Sequence, residues 1–145
     1  MAKDAYCSYE VSKLLKEKGF DEICYRIYNT QEKELWGTDG IEFQNHQIDE
    51  ESIAAPSHQL AMAWLREKGI HICPRHRCFC GVKPKDTPYY RWQTAIFRLP
   101  GNRLVYPLPI DMAESYDSYE EAVEDGLKYT LVELFDYLSH ERDTE

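Results

Sequence analysis

The feature that most constrains this chain is a long amphipathic stretch close to its C-terminus. Between Ser118 and Leu138, the residues Tyr119, Val123, Leu127, Leu131, Leu134 and Leu138 recur at the helical period and define one apolar stripe. Ser118 and Glu121 have the spacing of a capping box, and Glu120, Glu121, Glu124 and Asp125 crowd the positive end of the helix dipole. A helix with a single apolar stripe must lay it on another surface, so the rest of the chain has to supply one. Gly126 sits inside this helix at a cost of about 1 kcal/mol relative to Ala. Close approach to a strand would offset that cost.

Two shorter helices precede it. One spans about 8–18, with Ser8 as N-cap, Val11, Leu14 and Leu15 as the apolar stripe, and Gly19 and Phe20 as the C-terminal stop. The other spans about 57–68, with Ser57 as cap, Leu60, Ala61, Trp64 and Leu65 on one face, and Gly69 and Ile70 repeating the same ending. The two endings, Leu15-Lys16-Glu17-Lys18-Gly19-Phe20 and Leu65-Arg66-Glu67-Lys68-Gly69-Ile70, are explained either by a duplicated helix–strand unit or by shared capping chemistry. Without further matching between the two halves, capping chemistry is the simpler account.

Between the helices the pattern changes to strand-like alternation. Segments 23–28, 35–43, 70–73, 90–99 and 104–108 read as strands, with Asp39-Gly40 a hairpin signal and Pro100-Gly101-Asn102 the clearest turn. Residues 74–88 carry three prolines and four bases and read as a long exposed loop. The expected architecture is a single α+β domain over 1–140, an antiparallel sheet with about three helices packed on it, followed by a frayed tail at 141–145.

A chain of 145 residues with 43% apolar content has the means to build one core. No apolar run reaches membrane-spanning length and the N-terminus lacks a signal-peptide pattern, which suggests a cytoplasmic protein. The net charge of −9 argues against binding bulk DNA. That total conceals a division: residues 1–65 carry −6, residues 66–103 carry +7, and residues 111–145 carry −10.

Five cysteines at irregular spacing favour reduced thiols over a disulfide framework. The run His71-Ile72-Cys73-Pro74-Arg75-His76-Arg77-Cys78-Phe79-Cys80 holds five potential metal ligands in ten positions. It lacks the second, separated knuckle of a structural zinc site, so a strand leading into a loop with incidental thiols accounts for it and no metal is expected. Cys78 or Cys80 as a nucleophile, with His76 as base, is a weaker reading of the same run. The paired carboxylates Glu50-Glu51, Glu120-Glu121 and Glu124-Asp125 fall at turns and helix starts, where solvation and capping explain them. No phosphate loop, HExxH or GxSxG is present. The expectation is therefore a protein that is not an enzyme and needs no cofactor.

The basic middle is the more informative segment. Arg75, Arg77, Lys83, Lys85, Arg91, Arg98 and Arg103 interleave with Phe79, Tyr89, Tyr90, Trp92 and Phe97. Cations beside aromatic platforms suit a nucleotide-like anion, and Arg75, Arg77, Lys83, Lys85, Arg91 and Trp92 are the candidates for an anion or partner site. The competing reading sets these bases against the acidic third helix, where they would be architectural. That helix could in turn be a solvated face, or an acidic surface for a basic host protein.

The segment Ile53-Ala54-Ala55-Pro56-Ser57-His58-Gln59-Leu60-Ala61-Met62-Ala63-Trp64-Leu65-Arg66-Glu67 resembles one found in uncharacterised small proteins of gut Bacteroides-type bacteria, their phages and integrated elements. The order of landmarks is similar too: an early Ser-Tyr-Glu helix, a Tyr-rich strand, Ile-His-Ile after the second helix, and a closing Tyr119-Glu120-Glu121-Ala122 helix. The resemblance covers roughly 1–73 and 115–138 and departs in the cysteine-bearing stretch after Cys73. It brings no activity or catalytic residues, and it implies an accessory gene of a phage or mobile element. The expected function is protein–protein binding, host-directed or anti-defence, with self-association into a homodimer permitted. The alternative is a sponge for nucleotide signals that uses residues 75–103.

Overall fold

The computed structural model describes residues 5–37, 40–79, 89–99, 101, 103–106 and 116–136. Helix α1 (Tyr9–Glu17) starts at Ser8, whose hydroxyl accepts from the Val11 amide. It stops where Gly19 takes φ +93°, and the Phe20 amide returns to the Leu15 carbonyl at 2.9 Å. Helix α2 (His58–Glu67) is capped in the same way by Ser57 and ends at Gly69, φ +87°. The shared endings thus have the same capping chemistry. Helix α3 (Tyr119–Tyr129) is capped by Ser118 and runs on through a π-helical turn, Thr130–Leu134. Beyond that turn Phe135 is the buried residue while Leu134 is only half-buried; Leu138 lies outside the described residues.

The fold is α+β, and its strands form two three-stranded antiparallel sheets. The smaller sheet has the order β2-β1-β3, from β1 (Arg26–Asn29), β2 (Leu35–Gly37) and β3 (Ser52–Ala54). The larger has the order β4-β5-β6, from β4 (Ile70–Phe79), β5 (Tyr89–Arg98) and β6 (Arg103–Tyr106). The expected hairpin between β5 and β6 is present, with Gly101 at φ +92° in its turn.

Two expectations are corrected. Residues 74–79 are not loop: they continue β4 in register with β5, Pro74 opposite Thr94 and Arg77 opposite Arg91. Proline is tolerated there because β4 is an edge strand, and an edge strand can spare a backbone donor. The rest of the proposed loop, 80–88, lies outside the described residues, as does the tail. Nor does the segment 35–43 fold back on itself about Asp39-Gly40. Leu35–Gly37 pairs with Arg26–Tyr28, and Phe43 pairs with Cys24, so both ends lie along one neighbour. Asp39 itself is outside the described residues.

One core gathers residues from all three helices and both sheets, including Leu15, Phe20, Trp64, Leu65, Ile72, Ile96, Leu127 and Leu131. Trp64 packs edge-on against Phe20 and stacks on Phe135 at 5.5 Å. α3 lies across β4 and β5, and Gly126 is the point of closest approach. A Cβ there would sit 2.7 Å from Thr94 Cγ2 and 2.8 Å from Ile72 Cγ2. The expected offset for a mid-helix glycine is this contact. No helix among the described residues is long and apolar enough to cross a membrane.

Candidate functional site

Strand alternation sorts the basic middle into two faces. Ile72, Thr94 and Trp92 face α3: the first two meet Gly126, and Trp92 packs edge-on against Tyr119 at 5.2 Å. His76, paired with Trp92 across the strands, lies on the same face with its ring 4.7 Å from the indole. Arg75, Arg77 and Arg91 occupy the odd positions and therefore point to the opposite face, away from α3. Arg77 is exposed and donates to Gln93 Oε1 at 2.8 Å, whereas Arg75 and Arg91 are half-buried. Arg91 pairs with Asp117, just before α3, at 2.9 Å. The Nε of Arg75 is buried with no hydrogen-bond partner among the described residues. Of the sequence candidates, the structure brings together Arg75, Arg77 and Arg91 and sets Trp92 apart from them. Lys83 and Lys85 lie outside the described residues. The same alternation divides the His71–Cys80 run, with His71 and Cys73 on one face and His76 on the other.

A second feature is the edge of the smaller sheet. Every residue of β2 is exposed, Trp36 by 53%, and so are Tyr25 (50%) and Ile41 (59%) in the flanking segments and Ile23 before β1. Trp36 lies opposite Ile27 and Leu35 opposite Tyr28, so the two side chains point to opposite faces of the sheet. On the smaller sheet's inner side Tyr28 and Ile53 form a small satellite core with Ala55.

The third feature was not visible in the sequence. Residues 5–8 run as a strap beside the start of α2: the Cys7 amide donates to the Pro56 carbonyl, and the His58 amide to that of Ala5. This strap carries Cys7 in against His58, the first residue of α2, and against Glu124, one turn into α3. The His58 Nε2 and the Ser8 amide both bond Glu124 Oε1 at 2.8 Å. Beneath them the Tyr28 hydroxyl donates to the Cys7 carbonyl at 2.7 Å. Cys7 Sγ, a ring nitrogen of His58 and a carboxylate oxygen of Glu124 all lie within 4.8 Å of one another. Above the cluster opens a cleft of about 510 Å³, lined by Tyr6, Ser8, His58, Tyr116, Glu120 and Glu124 among others.

Electrostatics distinguish the members. Burial, the Glu124 charge and Cys24 push the Cys7 thiol well above its ordinary value. Burial also acts to raise Glu124, but the bonds from His58 and Ser8 outweigh it and hold the carboxyl below the usual range. Burial, with Glu124 and Cys7, raises the Tyr28 phenol. A protonated, fully buried thiol whose one bond is a 4.0 Å contact to the Ser57 carbonyl is poorly suited to attack a substrate. As donors, a sulfur, an imidazole nitrogen and a carboxylate oxygen in one place form the group best suited to a metal ion among the described residues. Comparison with protein-family models, with curated proteins and with solved structures returns no match.

Proposed function

We propose that this chain is a non-enzymatic binding protein that recognises a protein partner through the outer edge of its smaller sheet. The supporting observation is Trp36, 53% exposed on β2, whose outer edge has no strand partner among the described residues. A large exposed aromatic beside an open strand edge offers a partner both apolar burial and main-chain hydrogen bonds. The sequence resemblance gives this activity a setting: an accessory protein of a phage or mobile element, directed at the host or its defences. The buried Cys7 thiol supports the non-enzymatic part of the reading. In a pull-down from host lysate, the wild-type chain should retain a discrete protein that Tyr25→Ser/Trp36→Ser loses. Equal retention by the variant, or none by the wild type, would sink the reading; sedimentation at increasing concentration shows whether the partner is a second copy.

A second reading has its own support. The unpartnered Nε of Arg75, on a face shared with Arg77 and Arg91, is a donor set suited to an anion such as a nucleotide phosphate. Trp92 lies on the other face, so the phosphate and not a stacked base would dominate recognition. A thermal-shift screen with cyclic and linear nucleotides tests it. Stabilisation lost in Arg75→Glu/Arg77→Glu supports the sponge, and silence across the panel returns the weight to a protein partner.

A further inference from the structure

We propose that Cys7, His58 and Glu124 bind a zinc-class divalent ion, which staples the N-terminal strap to α2 and α3. The three ligand atoms already lie within 4.8 Å of one another. Around a tetrahedral zinc they would be about 3.3–3.7 Å apart, given metal–ligand bonds of about 2.0–2.3 Å. The present His58–Glu124 separation of 2.8 Å is shorter and the widest of the three separations is at most 4.8 Å, so small side-chain rotations bring the set to ligand spacing.

Two polar groups of the cluster are under-satisfied. His58 is almost fully buried, and its Nδ1 has no hydrogen-bond partner among the described residues. Its other nitrogen, Nε2, bonds Glu124 Oε1, so ligation through Nε2 replaces that bond and puts the ring proton on Nδ1. Among the described residues the Cys7 thiol makes one long contact, 4.0 Å to the Ser57 carbonyl, which a metal bond can replace.

Charge makes the case for a divalent ion in particular. Without metal, the cluster sets the Glu124 carboxylate beside a thiol that burial, and after it the carboxylate's charge, keeps protonated. Binding a dication releases the thiol proton, and the thiolate and carboxylate then sum to −2 against +2. A neutral site of this kind suits the surroundings of Cys7 and His58, both of which are buried. The donors select the metal: thiolate and imidazole favour zinc over magnesium or calcium. The cleft over His58 and Glu124 gives an entry path and room for a water as fourth ligand. Because the ligands come from three distant parts of the chain, the ion would stabilise the fold chiefly by closing long loops.

Cobalt(II) reports directly on such a site, since thiolate ligation gives a near-ultraviolet charge-transfer band and tetrahedral geometry gives intense visible bands. Full-length metal-free protein titrated with cobalt(II) should develop both at one equivalent and lose them to one equivalent of zinc. Zinc at about 100 times its dissociation constant should raise the melting temperature by about 5–10 °C. Cys7→Ser should abolish the thiolate band, and Glu124→Gln, which keeps the shape of the side chain, should weaken zinc binding by at least about tenfold. The double variant Cys78→Ser/Cys80→Ser should keep band and stoichiometry. Circular dichroism of each metal-free variant confirms that it folds, and if Cys7→Ser does not, Glu124→Gln and the double variant decide. Absence of the band in wild type, its loss in Cys78→Ser/Cys80→Ser, or undiminished zinc affinity in Glu124→Gln would each overturn the assignment.

Discussion

Gly126 shows how one residue can reverse the ordinary expectation for a helix. Alanine in an exposed mid-helix position is favoured over glycine by about 1 kcal/mol. Here the added Cβ would approach Ile72 and Thr94 to under 3 Å, and both are packed side chains of the core face. Gly126→Ala is therefore expected to destabilise by about 1–3 kcal/mol in urea unfolding, and a stabilised variant would show that α3 can lift off the sheet cheaply. Glu124 makes a different prediction at the same scale. Its native partners hold the carboxyl below the usual range, so the ionised form is favoured by folding. That contribution is present above the ordinary carboxylate range and is lost as the pH falls through the lowered native value. Metal-free Glu124→Gln should thus lose less stability than wild type between neutral pH and the acid range, as measured by melting temperature against pH. The sequence reading singled out Glu124 as a dipole-complementing acid and did not connect it to Cys7 or His58. Nothing in spacing joins three residues that only the tertiary fold assembles. The available signal was local: each of the first two helices has its capping serine beside a ligand-type residue, Cys7-Ser8 and Ser57-His58.

At the scale of elements, the helices were legible because their ends are chemically explicit. Ser8, Ser57 and Ser118 each accept from the amide three residues on, and Gly19 and Gly69 take the positive φ that ends α1 and α2. Ser118→Ala, which removes the bond to the Glu121 amide, is expected to cost about 1 kcal/mol; an unchanged urea midpoint would mean that the cap is replaced by water at no loss. The strands were less legible for a physical reason. Proline and charge at 74–77 look like loop chemistry, yet an edge strand tolerates both, since one side of its backbone needs no partner. The π-helical turn in α3 was equally invisible, because a 3.6-residue pattern cannot report a single widened turn. Candidate residues suffered from the same blindness to direction. Arg91 and Trp92 are neighbours in sequence, and β5 sends them to opposite faces.

For the whole molecule, the charge division of the sequence becomes a division in space. The acidic third helix packs on one face of the larger sheet, and Arg75 and Arg77 lie on the other, so helix and arginines do not neutralise each other. Arg91 is drawn to the acidic segment through Asp117, and His58 bonds Glu124. Two further links to α3 and the turn after it, Lys18–Asp136 and Lys128–Glu10, are surface pairs whose acidic partners are exposed and which contribute little. An acidic chain so arranged should tolerate added negative charge poorly, and its thiols and phenols show where that limit lies. Burial and the Glu22 charge push the Cys24 thiol up to about 12. Cys7 and Tyr28 are raised by burial, and Tyr25 by the neighbouring Glu42 charge. In each case the native state keeps a proton that the unfolded chain gives up. Stability is then complete below the ordinary thiol range and is lost as the pH rises from there towards about 12. The melting temperature of the metal-free protein should fall along that window, and less steeply in Cys24→Ala than in wild type. Zinc in the Cys7 site would replace the thiol proton with a charge that does not titrate away. Saturating zinc should accordingly flatten the alkaline fall of wild type beyond a uniform rise, and a parallel displacement of the whole curve would mean that Cys7 is not among the ligands.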